Sequence, residues 1–185
     1  MTAEGNIESP WVLGVRWIPG IDVDRAELRT TTMYQFTPTY QFTPTFSAGL
    51  EINPLAPDIR PIANWLAISE EGNRPALIFG TSSDRIGTPH GQAFYGTFSK
   101  DLERWTGLPI APYVGASFGT FDDELVGIGG LRIAWSDRIS TTNLWDGHNL
   151  HHTVEYGLDG GQLLGLVIAN LDEHYNVGVS YSIRF

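Results

Sequence analysis

The chain of 185 residues contains no cysteine, and only one of its 11 basic residues, Lys100, is a lysine. Without cysteine there is no disulfide framework and no thiolate metal site. Charged residues make up 17% of the chain, well under the usual quarter, and the formal net charge is −10. Because nucleic acid is bound through basic surfaces that neutralise phosphates, this composition argues against a nucleic-acid partner.

Long apolar runs and helical periodicity are also missing. The longest apolar segment, residues 163–169, is far shorter than the roughly 18 residues of a membrane-spanning helix. The first residues lack the basic and apolar regions of a signal peptide, which suits either a cytoplasmic protein or the mature form of an exported one. Helices that cross a membrane are therefore not expected.

The dominant pattern is alternation of apolar and polar residues with period 2, which is typical of strands with two unlike faces. Every second residue from Tyr175 to Phe185 is apolar or aromatic, and the residues between them are small or polar. Turn signals such as Asp159-Gly160-Gly161 separate similar segments. The sequence predicts about twelve strands, near residues 10–18, 26–37, 40–52, 60–69, 75–82, 91–99, 109–119, 125–135, 138–145, 150–157, 162–170 and 174–185. Short connections between them imply an antiparallel meander.

A hexapeptide is repeated without a gap: residues 34–39 and residues 40–45 both read Tyr-Gln-Phe-Thr-Pro-Thr. Six is an even number, so the repeat keeps its apolar side chains on one face of a strand. We interpret the two copies as strand ends on either side of a turn at Thr37-Pro38-Thr39. A ligand-stacking aromatic motif is the less favoured alternative.

A closed meander places its apolar face either inside, in a soluble barrel, or outside, in a membrane barrel. Large aromatic residues near strand ends favour the membrane barrel, because they form girdles at the two membrane interfaces. The opposite face is rich in Gly, Ser, Thr, Asn and Gln, whereas a surface in water would carry many Lys and Glu. The predicted fold is an all-β, antiparallel, up-and-down transmembrane β-barrel of about 12 strands, formed by residues 10–185 after a tail of residues 1–9. A 10-strand barrel and a soluble closed barrel are the alternatives, and the soluble barrel would be a ligand-binding protein. The girdle residues would include Trp11, Trp17, Tyr34, Phe36, Tyr175 and Phe185.

The last ten residues resemble the C-terminal β-signal of bacterial outer-membrane β-barrel proteins. The resemblance rests on Gly178, on Tyr181 three residues later, on Ile183 and on the final Phe185. It implies a mature protein of the bacterial outer membrane whose signal peptide has been removed. The implied partners are the lipid bilayer, or detergent, and the outer-membrane insertion machinery, and the last strand would close against the first.

Charged residues on the polar faces would lie in the lumen, because a charge facing lipid is costly. They could line a narrow pore for small solutes or ions, or form ion pairs that occlude a purely structural barrel. With four arginines against three glutamates, an open pore would prefer anions weakly. The predicted lumen-lining residues are Arg16, Glu27, Arg29, Glu51, Arg132, Glu155 and Arg184.

Signals for catalysis or cofactors are weak. Histidines and carboxylates gather near one set of predicted loops, and His148, His174 and Asp146 are weak candidates for a metal site. An outer-membrane lipid hydrolase would need a serine hydroxyl within reach of a histidine, and the chain contains no His-x-Ser. No glycine-rich phosphate loop occurs either, because Gly127, Gly129 and Gly130 fall inside a predicted strand. The sequence therefore predicts neither an enzyme nor a cofactor.

Overall fold

The computed structural model describes residues 8–25, 28–53, 58–88, 90–171 and 174–185, with backbone alone for residues 21–25, 28–36 and 58. Twelve β-strands and one short helical turn, α1, make up the regular structure of these residues. The strands are β1 Trp11–Arg25, β2 Leu28–Thr43, β3 Phe46–Asn53, β4 Asp58–Ile68, β5 Ala76–Ser83, β6 Gln92–Ser99, β7 Ile110–Gly119, β8 Glu124–Ala134, β9 Ile139–Trp145, β10 Leu150–Gly157, β11 Gln162–Leu171 and β12 His174–Arg184, and α1 is Glu103–Thr106. Across the described ranges, no helix is long and apolar enough to pass through a membrane.

Each strand pairs antiparallel with the next, and β12 pairs with β1, which closes the sheet into a barrel. The closure extends to the chain ends, where Trp11 and Phe185 exchange two backbone hydrogen bonds of 3.0 and 2.9 Å. The predicted all-β, 12-strand, up-and-down antiparallel barrel is confirmed, and the 10-strand alternative is wrong. Closure gives every strand two paired neighbours, so that the sheet has no open edge.

An even number of strands places both chain ends at one end of the barrel. This terminal end also carries the connections after β2, β4, β6, β8 and β10. The opposite end, called here the far end, carries the connections after β1, β3, β5, β7, β9 and β11.

The apolar faces of the strands lie on the outside. In β7, Val114 and Phe118 point outward and are 65% and 39% exposed, while Ser117 between them lines the interior. Exposed aromatic side chains ring both ends: Phe94, Phe118 and Tyr175 at the far end, and Trp11, Trp65 and Phe185 at the terminal end. This is the orientation that the membrane-barrel interpretation requires. Tyr34 and Phe36, named as girdle residues from the sequence, are described in their backbone only.

The repeated hexapeptide does not flank a turn, and this prediction from the sequence is wrong. Strand β2 continues through Thr37, Pro38 and Thr39 to Thr43, and the turn falls at Pro44 and Thr45. Pro38 stays within the strand, opposite Leu13 of β1. Pro44 instead occupies the position after Thr43 that favours proline at a turn, because its fixed φ suits that geometry.

A polar cavity inside the barrel as the candidate functional site

A cavity of about 580 Å³ lies inside the barrel and follows its long axis. At the far end it is lined by Asp122 and His148, which belong to connecting loops. Toward the terminal end it reaches Ser99, the last residue of β6. Its lining comes from β1 and from β3 to β10, and most of these side chains are polar or charged. The cavity therefore runs through the polar lumen that alternation in the strands creates.

Two of the predicted lumen charges, Arg16 and Glu51, line this cavity. Arg16 interacts electrostatically with Glu51 and with Glu155 across the interior. Glu51 is buried and accepts a hydrogen bond of 2.8 Å from the Ser83 hydroxyl. The carboxylates that act on Arg16 therefore come from β3 and β10, on opposite sides of its own strand.

Three other predicted lumen charges share the inner face but lie nearer the terminal end, outside the cavity lining. Arg132 donates to the Ser140 hydroxyl at 3.1 Å, and that hydroxyl in turn donates to Glu155 at 3.3 Å. Arg184 is placed on the inner face by its pairing with Val12, and donates to the Ser9 carbonyl at 3.4 Å. The contacts of Arg132, Ser140 and Glu155 connect β8, β9 and β10 across the inner face. The remaining two predicted positions are not informative, since Glu27 lies outside the described residues and Arg29 is described in its backbone only.

The connection between β5 and β6, residues 84–91, folds into the barrel and is called here the inner loop; residue 89 lies outside the described part of it. Ile86 packs against a buried apolar cluster of Ile18, Val167 and Ala169 on β1 and β11. The β11 wall stands six strands from β5 in either direction around the closed sheet. The inner loop therefore reaches the opposite wall of the lumen.

The base of the inner loop is fixed to the turn between β7 and β8. Asp84 accepts hydrogen bonds from the backbone amides of Arg85 at 2.8 Å and Phe121 at 3.0 Å. Its carboxylate fills space that a glycine leaves free, because a Cβ on Gly119 would lie 2.6 Å from Asp84 Oδ2. The Arg85 guanidinium forms an ion pair with Asp122 of that turn. The sequence does not identify Asp84 or Arg85 as site residues, since nothing in a loop sequence shows that the loop bends inward.

Two histidine–carboxylate pairs also lie at the far end, among β8, the loop after β9, and β10. His151, only 1% exposed, contacts Asp146 Oδ2 through Nε2 at 2.8 Å. His148 Nε2 lies 3.5 Å from Glu124 Oε2. Burial acts to raise the pKa of Asp146, but hydrogen bonds from His151 and from the backbone amides of Asn149 and His148 outweigh it and lower the pKa below its ordinary value.

The described residues contain no group of three or more histidines and carboxylates that could hold a metal ion. Of the weak candidates, Asp146 is engaged by His151 and by backbone amides, and His148 faces Glu124. The third, His174, begins β12, which is separated from β10 by β11. The neighbouring His152 lies on the outer face of β10, where its Nδ1 is 2.6 Å from Asn143 Oδ1.

The His151–Asp146 pair resembles two members of a hydrolytic triad. The surroundings of the other imidazole nitrogen, His151 Nδ1, then decide whether the third member is present. A nucleophile would have to lie within hydrogen-bond reach of His151 Nδ1. Nδ1 is buried and has no hydrogen-bond partner among the described residues. The geometry thus supplies an oriented imidazole without a hydroxyl to activate.

The charge of the cavity lining differs from the sequence-based expectation. Among the described lining residues, two arginines, Arg16 and Arg85, face five carboxylates. The additional negative charge comes from far-end residues rather than from mid-strand positions. The carboxylates are Glu51, Asp84, Asp122, Glu124 and Asp146. An excess of carboxylates opposes the weak anion preference expected from the strand pattern.

The residues of the proposed β-signal occupy the strand that closes the barrel. Tyr181 and Ile183 face outward from β12, and Phe185 follows directly after it. Gly178 faces inward, where a Cβ would lie 2.9 Å from Ile18 Cα. Gly178 thus lies in the crowded contact between β12 and β1, whereas Tyr181 and Ile183 lie on the apolar exterior.

The fold and the cavity define a closed, up-and-down β-barrel with an apolar exterior and a polar lumen. Compared with models of known protein families and with curated proteins, the chain gives no match to either. Any function must consequently be argued from the barrel itself.

Proposed function

We propose that the protein is a bacterial outer-membrane β-barrel that forms a narrow pore for small solutes or ions. The observation that carries this proposal is the polar cavity that follows the barrel axis from Asp122 to Ser99 inside an apolar wall. Soluble barrels place their apolar faces inside, whereas membrane barrels expose them to lipid and keep a polar lumen. Solutes can pass through such a lumen without any catalytic group, which favours a pore.

The exterior supports membrane insertion independently of the lumen. Apolar side chains such as Val114, Leu166 and Val177 are exposed along the middle of the wall, between the two aromatic girdles. Exposure of this extent on a protein in water would promote association. The bilayer, or detergent in its place, is accordingly the partner we propose, and the insertion machinery would recognise β12 through Tyr181, Ile183 and Phe185.

An occluded structural barrel is the second candidate, and a specific observation favours it. Ile86 of the inner loop and the cluster of Ile18, Val167 and Ala169 fill one side of the lumen with apolar side chains. If the remaining space is closed by side chains, the barrel would act as a scaffold in the membrane.

Planar-bilayer recording separates the two candidates. Purified protein is first inserted into vesicles, and insertion is verified by protease protection and by the heat-dependent shift of its electrophoretic mobility. Discrete conductance steps after vesicle fusion are the expected result. A silent bilayer with verified insertion would refute the pore and leave the occluded scaffold, whereas protein that needs no detergent and does not insert would refute the membrane assignment.

A further inference from the structure

We propose that the pore selects small cations, and that the inner loop together with the carboxylates at the far end produces this selectivity. This inference rests on the proposed pore function and names its substrate class. Two observations support it: the part of the lumen that the inner loop leaves open to water, and the charges that line this part.

The inner loop closes one side of the lumen to water. Ile86 packs on Ile18, Val167 and Ala169, and these three wall residues are at most 1% exposed. Gly87 continues the contact, since a Cβ placed on it would lie 3.1 Å from Leu171 Cδ1. Among the described residues, the space left open at the far end lies between the inner loop and the wall made by β7 to β10.

Carboxylates border this remaining passage on both sides. Asp84 projects from the base of the inner loop, Asp122 and Glu124 from the turn and strand facing it, and Asp146 from the loop after β9. Of the described residues that line the cavity at this end, Arg85 is the single arginine; it is engaged by Asp122 and lies 3.9 Å from Asp84 Oδ1. Among these described residues, four carboxylates against one guanidinium leave a negative excess at the mouth.

The negative excess acts through its field rather than through a bound ion. Fixed carboxylates in a passage with low-dielectric walls raise the local concentration of cations and lower that of anions. Screening at physiological salt extends over about 8 Å, so every ion that passes the narrowed side of the lumen experiences this field. The cavity volume of about 580 Å³, which the inner loop borders, limits the solutes to small ones.

The direct test is the reversal potential in planar bilayers under a tenfold KCl gradient. Wild-type protein is expected to reverse on the cation-selective side. Glu124→Gln should lower the K⁺-to-Cl⁻ permeability ratio about twofold to threefold, the effect of one unit charge across several Å of water-filled passage. Arg85→Gln should raise the ratio, because it removes an arginine from the cavity lining at this mouth.

Asp159→Asn is the matched control, since Asp159 lies at an exposed turn of the terminal end, paired with Arg138, and its removal should leave the ratio unchanged. Only variants with the heat-dependent mobility shift of folded protein are compared. Conductance that reverses at zero or on the anion side would overturn the cation inference while the pore stands. Absence of conductance with verified insertion would overturn the pore and, with it, this inference.

Discussion

Gly87 of the inner loop lies against Leu171 of β11, on the wall directly across the barrel from the strand that leads into the loop. A Cβ on Gly87 would approach Leu171 Cδ1 to 3.1 Å, and the φ of Gly87 is +92°, a conformation that other residues rarely adopt. Glycine therefore satisfies both the close approach and the backbone geometry there. Because of this contact, the position of the inner loop sets how much of the lumen remains open.

Weakening the packing of the inner loop against the β1 and β11 wall should widen the pore. Ile86→Ser removes the apolar side chain that docks on Ile18, Val167 and Ala169 without adding charge. We expect the inner loop to leave the wall and the single-channel conductance to increase. Ile86→Leu, which keeps an apolar side chain of the same volume, should retain the wild-type conductance. Equal conductance in Ile86→Ser and wild type would show that the inner loop does not limit the passage.

A charge on the outer face of β12 should impair assembly more than the same charge on its inner face. Tyr181 points outward and donates to Gln162 Oε1 at 2.7 Å, while the next residue, Ser182, points inward. A basic charge facing lipid costs up to about 2–4 kcal/mol at mid-membrane, and a carboxylate or a position near the interface costs less.

Tyr181→Asp should thus reduce the fraction found folded in the outer membrane, measured by heat-dependent mobility, with secondary structure in detergent largely kept. Ser182→Asp is its matched control and should assemble normally. Deleting Phe185 should act like Tyr181→Asp, because Phe185 completes the proposed signal and pairs with Trp11. Normal insertion of both altered proteins would remove the argument from the β-signal.

Acid should destabilise the barrel partly through Asp146. Its pKa in the folded protein lies below the ordinary value of 3.8, so its carboxylate stabilises the native state above that pH. This contribution is lost as the pH falls through the depressed pKa. The free energy of unfolding, measured between about pH 6 and pH 2, should fall less steeply in Asp146→Asn than in wild type. Asp159→Asn controls for loss of one exposed carboxylate, and identical slopes in all three proteins would contradict the assignment.

The strands could be predicted because their signal is local. In β12, each side chain from Tyr175 to Phe185 already identifies its face, and antiparallel pairing of neighbours follows from short connections. The turn after β2 was misplaced because both copies of the hexapeptide carry the same Thr-Pro-Thr signal. Pairing of Pro38 with Leu13 keeps the first copy in the strand, and this depends on a partner strand that the local sequence does not show.

The interior site was predicted only in part, for a physical reason. Arg16 and Glu51 were found because they sit on polar faces of strands. Asp84 and Arg85 were not, since their position depends on a loop whose tip docks on residues distant in sequence, such as Leu171. Alternation along a strand reports which face a side chain occupies, but not whether a loop folds over that face.

The central claim, that lipid covers the outer face and water fills the lumen, is tested most directly with two single cysteines. The chain has no native cysteine, so Ala116→Cys and Ser117→Cys each provide one thiol. These neighbours in β7 point to opposite sides: Ala116 is exposed on the outer face, and Ser117 lines the cavity.

In protein inserted into vesicles, a charged, membrane-impermeant methanethiosulfonate reagent should modify Ser117→Cys and leave Ala116→Cys unreacted. In bilayers that conduct, modification of Ser117→Cys should also reduce the current. Rapid reaction of Ala116→Cys with Ser117→Cys protected would mean that the outer face lies in water and the interior is closed, and would contradict the account.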